Sequence, residues 1–490
     1  MDSQEALSRI IHIEENFDVN EIAYLKTQSW PYYRSILYDL FLNSKLTKGK
    51  DKKSSNYKYS FPKHKKQELP RSTLSKVEEI AQKTSESIGT SDIFFLCDSK
   101  FQIIYNKSSY THKFFTPIYK AISNDYKCTF LLSNPWVNEK RKPVNRPSER
   151  SYTIDQEMHW VSLLRSNIPL DSSHKLFFDF INKEFPEYHF EYSEIERVLQ
   201  FICLVGCYFK VLLETCNAKL SLSSVIPHIR TFALTLGSRL AGVPSVDVQH
   251  GHGGETHPIY NNWTSIPLNG YQLLPKYYWC WGEGAKSRIL DWTKSNRFHQ
   301  AFIGGNPWIS SLIEPLEEKE RSPATRGGSI LISLQNYDIP QFLLHAIKHF
   351  KDYNWRFLCH PLHNHLFEKY HLYLTDNLKG FNNWEILKST KNEFYSFIKE
   401  ASLHITGWSS TAHEALSFGV QTILIHKNSL FELGLDINRG IFRYADNFSD
   451  LKKIIEERNF TKEKNPFMEP ASLGMKEINT IISQGNKEKV

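Results

Sequence analysis

The sequence is poor in cysteine and has no CxxC pair among its seven cysteines, which excludes a disulfide framework and the usual paired-cysteine zinc sites. Cys203 and Cys207 are spaced to share one face of a predicted helix, where packing into a core is the better interpretation. We therefore expect a reducing, cytosolic compartment.

Long apolar runs are also missing. The longest apolar stretch, 201–209, is too short to span a membrane, and the N-terminus lacks the basic start and apolar run of a signal peptide. A strong excess of charge of either sign is also missing, because 60 Lys+Arg stand against 53 Asp+Glu. This small excess is compatible with anionic substrates or a membrane surface, and it argues against nucleic acid as a partner because no recognition motif accompanies it.

Aromatic and apolar residues are abundant. Hydrophobic residues make up 40% of the 490 positions and aromatic residues 14%, which is enough for large cores and excludes wholesale disorder. The length predicts two or three domains. Nine of the residues between Lys45 and Lys66 are lysines, and we interpret this stretch as a solvated basic loop that could also attract anionic lipid headgroups.

The order of apolar segments predicts the domains. Apolar spacing over 18–42 indicates helices, and from residue 91 short apolar strands alternate with helices in two blocks. A charged stretch rich in Pro and Gly separates the blocks. The predicted fold is α/β, with two Rossmann-like domains facing a central cleft and a helical N-terminal extension. Its predicted segments are the extension 1–90, a first domain 91–313, a linker 314–328, a second domain 329–460 and a C-terminal helix 461–490.

Candidate catalytic residues cluster in a glycine-rich loop that follows the predicted strand 244–249. Glycines allow a ligand to approach the backbone, and histidine or glutamate can serve as a general base near neutral pH. A metal site or a hydrogen-bonded loop is the alternative interpretation, and we expect no metal. The candidate catalytic residues of this loop are His250, His252, Glu255 and His257, and the candidate acceptor-loop positions are Gln249 and Gly251. Asp98, at the end of an earlier strand, is a further candidate base.

Candidate nucleotide-binding residues follow two strands of the second block. His360 and Pro361 come directly after an apolar strand, where a histidine can donate to a phosphate or sugar oxygen. Gly407 ends the next such strand, and a helix with hydroxyl residues at its start is predicted over 410–418; such a start can cap the helix or bind an anion. The residues concerned there are Ser409, Ser410, Thr411 and, one turn later, Glu414, which could accept ribose hydroxyls.

These motifs, taken in order, resemble those of bacterial GT-B glycosyltransferases that build capsule, O-antigen and related polysaccharides. The pairing of the HP and SS motifs resembles that of transferases using CMP-activated acidic sugars, such as sialic acid and Kdo. The resemblance implies that His360, Pro361, Ser409 and Ser410 hold the CMP moiety. The segment WPYYR at 30–34 is also similar to the start of surface-carbohydrate transferases.

The resemblance implies a division of roles. The second domain would bind a nucleotide-sugar donor without cofactor or divalent cation, and the first would bind a glycan or lipid-linked acceptor. Glu255 or His250 is the preferred base, followed by Asp98. The protein would act in the cytoplasm, or as a peripheral protein at the inner face of the membrane. Glycerol-phosphate transferases of teichoic-acid type are the nearest alternative, UDP-sugar 2-epimerases a more distant one, and a non-catalytic glycan- or nucleotide-binding protein remains a third.

Overall fold

A computed structural model describes most of the chain as two compact units. The first unit comprises Met1–His250, His257–Pro307 and Pro470–Val490, and the second comprises Gly251–Thr256 and Trp308–Glu469. The described residues are 3–42, 68–98, 102–106, 109–133, 150–164, 168–188, 190–224, 226–251, 253–294, 296, 298–313, 328–335, 337–388, 393–457 and 470–487. The predicted basic loop 45–66 and nearly all of the predicted linker 314–328 lie outside these ranges.

The N-terminal segment is only partly helical. Its elements are α1 (Ser3–Asn16), β1 (Ala23–Tyr24), β2 (Thr27–Gln28), α2 (Trp30–Leu42) and α3 (Arg71–Ile88). The prediction of helix throughout 18–42 is therefore wrong for residues 23–28, which form an antiparallel hairpin through Leu25 and Lys26 at φ +52° and +65°. A helix continuing through this segment would place Pro31 in its interior, whereas in α2 Pro31 lies in the first turn, where proline is tolerated.

The first unit is built on a seven-stranded parallel sheet with strand order β11-β10-β9-β8-β3-β6-β7. Parallel strands covered on both faces are apolar throughout, and β3 shows this with five consecutive buried residues, 93–97. Its remaining elements are β3 (Ile93–Asp98), β4 (Gln102–Asn106), β5 (Ser109–His112), α4 (Phe115–Ile122), β6 (Cys128–Ser133), β7 (Ser151–Thr153), α5 (Asp155–Ser162), α6 (Ser172–Glu184), α7 (Tyr192–Thr215), β8 (Leu220–Ser223), α8 (Ile229–Leu240), β9 (Ser245–Val248), β10 (Tyr277–Cys280), α9 (Glu283–Thr293) and β11 (Gln300–Ile303).

The second unit contains a six-stranded parallel sheet with strand order β14-β13-β12-β15-β16-β17. α10 (Pro307–Ile313) precedes it. The elements that follow are β12 (Ser329–Leu334), α11 (Gln341–His349), β13 (Asn354–Cys359), α12 (Phe367–Asn377), β14 (Trp384–Lys388), α13 (Glu393–Glu400), β15 (Ala401–Thr406), α14 (Thr411–Ser417), β16 (Thr422–Leu424), α15 (Ser429–Glu432), α16 (Gly434–Asn438), β17 (Arg443–Tyr444) and α17 (Phe448–Glu457).

The last helix, α18 (Ser472–Lys487), belongs to the first unit. Its Gly474 lies against the indole of Trp279, so close that a Cβ there would come within 2.2 Å of the ring, and Tyr126 donates to the Asn479 side chain at 3.0 Å.

Two parallel-sheet α/β domains with a partly helical N-terminal segment confirm the predicted fold class.

One helix among the described residues, α7, is long and apolar enough to cross a membrane by length and composition. Because 61% of its most apolar window is buried inside the first unit, packing into the core also accounts for its composition. Cys203 is buried on this helix and Cys207 is half-buried, and both are free thiols.

Candidate functional site

The second sheet has its topological switch point between β12 and β15. The chain proceeds from β12 to β13 and β14 on one side, and then to β15, β16 and β17 on the other. Open α/β sheets bind ligands at the carboxyl ends of the strands at such a point. Gln335 and Gly407 follow β12 and β15 there, and the Gln335 side chain accepts the N–H of Trp408 at 3.0 Å. Gln335 was not predicted, although it follows an apolar strand as His360 does.

Aromatic side chains from three segments gather at this edge of the sheet. The ring centroids of Trp408 and His426 are 4.4 Å apart, and those of Tyr337 and Trp408 are 5.6 Å apart. Tyr337 is buried while the other two rings are half-buried. Burial lowers the pKa of His426, so its neutral ring can pack against the indole. These three residues form an aromatic platform that the sequence did not reveal, because its members are separated along the chain.

His360 follows β13, the neighbour of β12. Its N–H donates to the Leu334 carbonyl at 3.1 Å, which fixes it at the same edge as Gln335. Burial, reinforced by nearby His363, lowers the pKa of His360 below its usual value. His360 is therefore mainly neutral at pH 7, and a bound anion would stabilise its charged form. Pro361 begins the short 3-10 turn Pro361–Leu366 that follows.

The predicted hydroxyl residues lie just before and at the start of α14. Ser409 accepts the N–H of Thr411 at 3.3 Å, whereas Ser410 makes no capping hydrogen bond with its side chain. α14 has only seven residues, shorter than the predicted 410–418, so its macrodipole is small and any ligand would depend on the hydroxyls themselves.

Glu414 lies on α14 with 4% of its surface exposed. The Tyr395 hydroxyl donates to its Oε2 at 3.0 Å. The predicted contact with ribose hydroxyls would therefore have to compete with a buried protein partner. This geometry is better suited to holding α14 against α13 than to direct ligand binding.

The glycine-rich loop is divided between the units. Gly251 and Glu255 belong to the second unit, where Glu255 Oε1 accepts the N–H of Leu435 at 2.9 Å. Gly254 approaches Glu432 so closely that a Cβ would come within 1.8 Å of its Oε2, and Thr256 donates to the other oxygen of Glu432 at 2.6 Å. Residues 254–256 are thus anchored on α15 and α16.

The flanking loop residues Gln249, His250 and His257 belong to the first unit. Gln249 is buried, and its side-chain and main-chain oxygens accept the backbone and indole N–H groups of Trp281 at 2.7 and 2.8 Å. These contacts support a structural role for Gln249. His250 is half-buried at the end of the strand segment.

His257 is occupied by the backbone around it. Its Nδ1 accepts the N–H groups of Ile259 and Tyr260 at 3.2 and 3.3 Å. Burial, with a further contribution from the Arg34 charge, lowers the pKa of His257 to about 4. The ring is therefore neutral near pH 7 and carries its proton on Nε2.

Two candidate bases are described less fully. Asp98 is the last residue of β3, in register with Ser133 of β6, but its side chain lies outside the described part of the structure. His252 also lies outside it. Among the described residues, no group of three or more His, Cys, Asp and Glu side chains is arranged to hold a metal ion.

A buried ion pair ties the N-terminal helices to the segment after the loop. Arg34 Nη1 lies 2.6 Å from Glu14 Oε1, with both side chains fully buried. The guanidinium also donates to the carbonyls of Pro258, Asn261 and Asn262 at 2.6, 3.1 and 2.8 Å. The sequence pointed to Arg34 only through the WPYYR resemblance, and its partners could not be predicted.

Comparisons with known proteins identify a shared fold. No protein-family model and no curated protein matches the sequence. A structure from Listeria monocytogenes, assigned as a UDP-N-acetylglucosamine 2-epimerase, matches 82% of this chain and 98% of its own with 13% identity and a TM-score of 0.50. The UDP-GlcNAc 2-epimerase of Neisseria meningitidis bound to UDP-GlcNAc matches 80% and 99% at 14% identity and a TM-score of 0.49. A variant of the wall teichoic acid polymerase TagF matches 85% and 94% at 11% identity and a TM-score of 0.45.

The Listeria structure supports a fold of two α/β domains of the GT-B type for this chain. At this level of identity the likeness is one of fold. The predicted GT-B architecture is therefore confirmed, and the donor and the reaction remain matters for proposal.

Proposed function

We propose that this protein is a glycosyltransferase that moves a sugar from a CMP-activated donor, of the acidic-sugar type, onto a glycan or glycolipid acceptor of a bacterial surface polysaccharide. The observation that supports it is the gathering of Gln335, His360 and the segment 407–411 at the switch point of the second sheet. This is where α/β folds bind nucleotides.

The residues of this edge suit a nucleoside phosphate. Ser409, Ser410 and Thr411 offer hydroxyl and N–H donors, and His360 can donate to a phosphate oxygen and accept a proton as negative charge accumulates on the leaving nucleotide. Trp408 and His426 present a half-buried aromatic surface on which a nucleobase could stack. Fixed donors of this kind stabilise a leaving nucleotide without requiring a divalent cation or cofactor.

The acceptor hydroxyl needs a base. Among the candidates we assign this role first to Glu255 or His250, with Asp98 next. Glu255 Oε1 accepts the Leu435 N–H at 2.9 Å, which restricts the orientation of the carboxylate, and a general base must be held within reach of its proton. The proposal places the protein in the cytoplasm, with the basic stretch 45–66 available for a peripheral contact with anionic lipid.

The test is a thermal-shift titration of the full chain with CMP, CDP, UMP, UDP, GDP and ADP, each with and without EDTA. A nucleotide at 100 times its Kd stabilises the folded state by about 2.7 kcal/mol. We expect CMP to give the largest shift and EDTA to leave it unchanged. His360→Ala and Ser410→Ala should lower the shift. The controls His349→Ala, an exposed residue at the end of α11, and Ser417→Ala, at the other end of α14, should not.

The other outcomes are informative. A preference for CDP would replace the proposed donor with a CDP-polyol, and a preference for UDP or GDP would replace the CMP-sugar. The absence of any shift would reject nucleotide binding and leave a glycan-binding protein.

A further inference from the structure

The first sheet also has a topological switch point, and a small crevice lies there. β3 is flanked by β6 on one side and β8 on the other, although the chain reaches β8 only after β7. The crevice is lined by the end of β3, by Ser133 and Ser224 at the ends of β6 and β8, and by the start of α8 with its capping residue, His228, Arg230 and Thr231. The His228 Nδ1 already accepts the backbone N–H of Arg230 at 3.3 Å. The volume of the crevice is about 10 Å³, roughly enough for one oxygen-sized group.

Two buried hydroxyls lining the crevice have no hydrogen-bond partner among the described residues. Ser133 is 4% exposed and Ser224 is 1% exposed, and neither Oγ is bonded within the described part of the chain. Buried hydroxyls are nearly always paired in folded proteins, so two unpaired hydroxyls at one crevice suit a ligand that accepts hydrogen bonds.

The remaining groups also favour an acceptor. Arg230 can only donate, and its buried Nε likewise has no partner among the described residues. Its Nη2 forms an ion pair with Asp155 Oδ1 at 3.8 Å, a distance too long for a hydrogen bond. α8 has 12 residues and begins at this point, so its N-terminus adds positive potential. No carboxylate is among the described side chains that line the crevice.

We propose that this crevice binds one oxygen of a carboxylate or phosphate carried by the acceptor, and hence that the acceptor is an anionic glycan. This rests on the proposed function, because it assigns the acceptor side of that reaction. One oxygen of the anion enters the crevice while the sugar ring remains at its mouth. This oxygen accepts hydrogen bonds from the hydroxyls of Ser133 and Ser224 and from the Arg230 guanidinium.

The test measures binding of glucose, glucuronate and glucose 6-phosphate to the full chain by saturation-transfer NMR and calorimetry. We expect one or both anions to bind about tenfold more tightly than glucose, the gain typical of a charge-assisted contact. Tighter binding of glucuronate would identify a carboxylate acceptor, and tighter binding of glucose 6-phosphate a phosphate-bearing one. Ser224→Ala and Arg230→Gln should remove most of this advantage, and Ser224→Val, which fills the crevice, should abolish it.

Arg197→Gln is the matched control, because Arg197 is an exposed arginine on α7 that lies outside the crevice. Equal binding of the three wild-type ligands would overturn the proposal without any variant, as would an equal loss in Arg197→Gln. The CMP-induced thermal shift should persist in the crevice variants, which also shows that they fold. If the wild-type protein binds nucleotide but shows no preference for the anions, only the crevice is rejected. If it prefers the anions but gives no thermal shift with nucleotide, only the proposed donor site is rejected.

Discussion

Breaking the ion pair between Arg34 and Glu14 should be among the most destabilising single changes to the first unit. Both side chains are fully buried. The guanidinium donates to four acceptors, which are the Glu14 carboxylate and three backbone carbonyls within residues 258–262. Glu14 is saturated in turn by the Trp30 indole and by Thr264, whose backbone N–H and hydroxyl both donate to its second oxygen. Removing one partner leaves a buried charge and orphaned carbonyls.

We expect Arg34→Met to lower the free energy of unfolding by about 4 kcal/mol, because breaking a buried pair typically costs about 3–5 kcal/mol. Arg34→Lys keeps the charge but cannot reach all the carbonyls with one ammonium, so roughly half of that loss should remain. The double variant Glu14→Gln with Arg34→Met should lose less than the sum of the single variants, with a coupling of about 1–3 kcal/mol. Lys210→Met removes an exposed cation paired with Glu214 and should cost about 0.5 kcal/mol.

Urea unfolding followed by circular dichroism gives the free energies, and peptide-resolved hydrogen exchange locates the loss. Faster exchange should appear first in residues 257–264, whose carbonyls Arg34 holds. If Arg34→Met costs no more than Lys210→Met, or if the added exchange lies elsewhere, the ion pair does not anchor this segment and the reasoning fails.

Three further predictions follow from other buried contacts. Burial raises the pKa of Asp247 to about 8, so the folded state holds a proton that the unfolded state loses near pH 4. The free energy of unfolding should therefore fall as pH rises between these two values, by up to ~1.4 kcal/mol per pH unit. Urea unfolding at pH 5 and 7.5 should show this slope in the wild type and not in Asp247→Asn. The pKa of His360 is lowered in the free protein, and a bound phosphate should raise it and so promote proton uptake by the ring. CMP affinity measured by calorimetry should therefore increase as pH falls through the pKa of His360 in the complex, and it should level off below the pKa of His360 in the free protein. A flat profile, or one unchanged in His360→Ala, would contradict a phosphate contact. Gly254→Ala should lower turnover because its Cβ would collide with Glu432, and adding Glu432→Ala should restore part of it; no rescue in an initial-rate assay would show that the collision is not the cause.

Several strands of both sheets could be predicted because buried parallel strands are recognisable as short apolar runs. Ile93–Asp98, Cys128–Ser133 and Ser329–Leu334 are runs of this kind. The hairpin at residues 23–28 could not, since its apolar spacing imitates a helix and only the turn conformation of Leu25 and Lys26 distinguishes the two.

The candidate site was recovered where its residues directly follow a strand. His360 and Gly407 were found by that rule, and Gln335 satisfies it as well. The aromatic platform of Tyr337, Trp408 and His426 and the partners of Arg34 were not found, because they depend on contacts between distant parts of the chain. Proximity in sequence was also a poor guide in the glycine-rich loop, where neighbours belong to different units.

The hydrogen bonds of the loop residues also narrow the choice of general base. His257 was a candidate because it lies near His250 and Glu255 in the sequence, but its Nδ1 lone pair already accepts two backbone N–H groups and its Nε2 carries the proton of the neutral ring. It has no lone pair with which to take a proton from an acceptor hydroxyl, and a pKa of about 4 gives it no charge to donate near neutrality. His257 instead caps the turn at residues 258–262, whose carbonyls accept hydrogen bonds from Arg34. His257 therefore positions the segment after the loop, and among the described loop residues Glu255 and His250 remain the proposed bases.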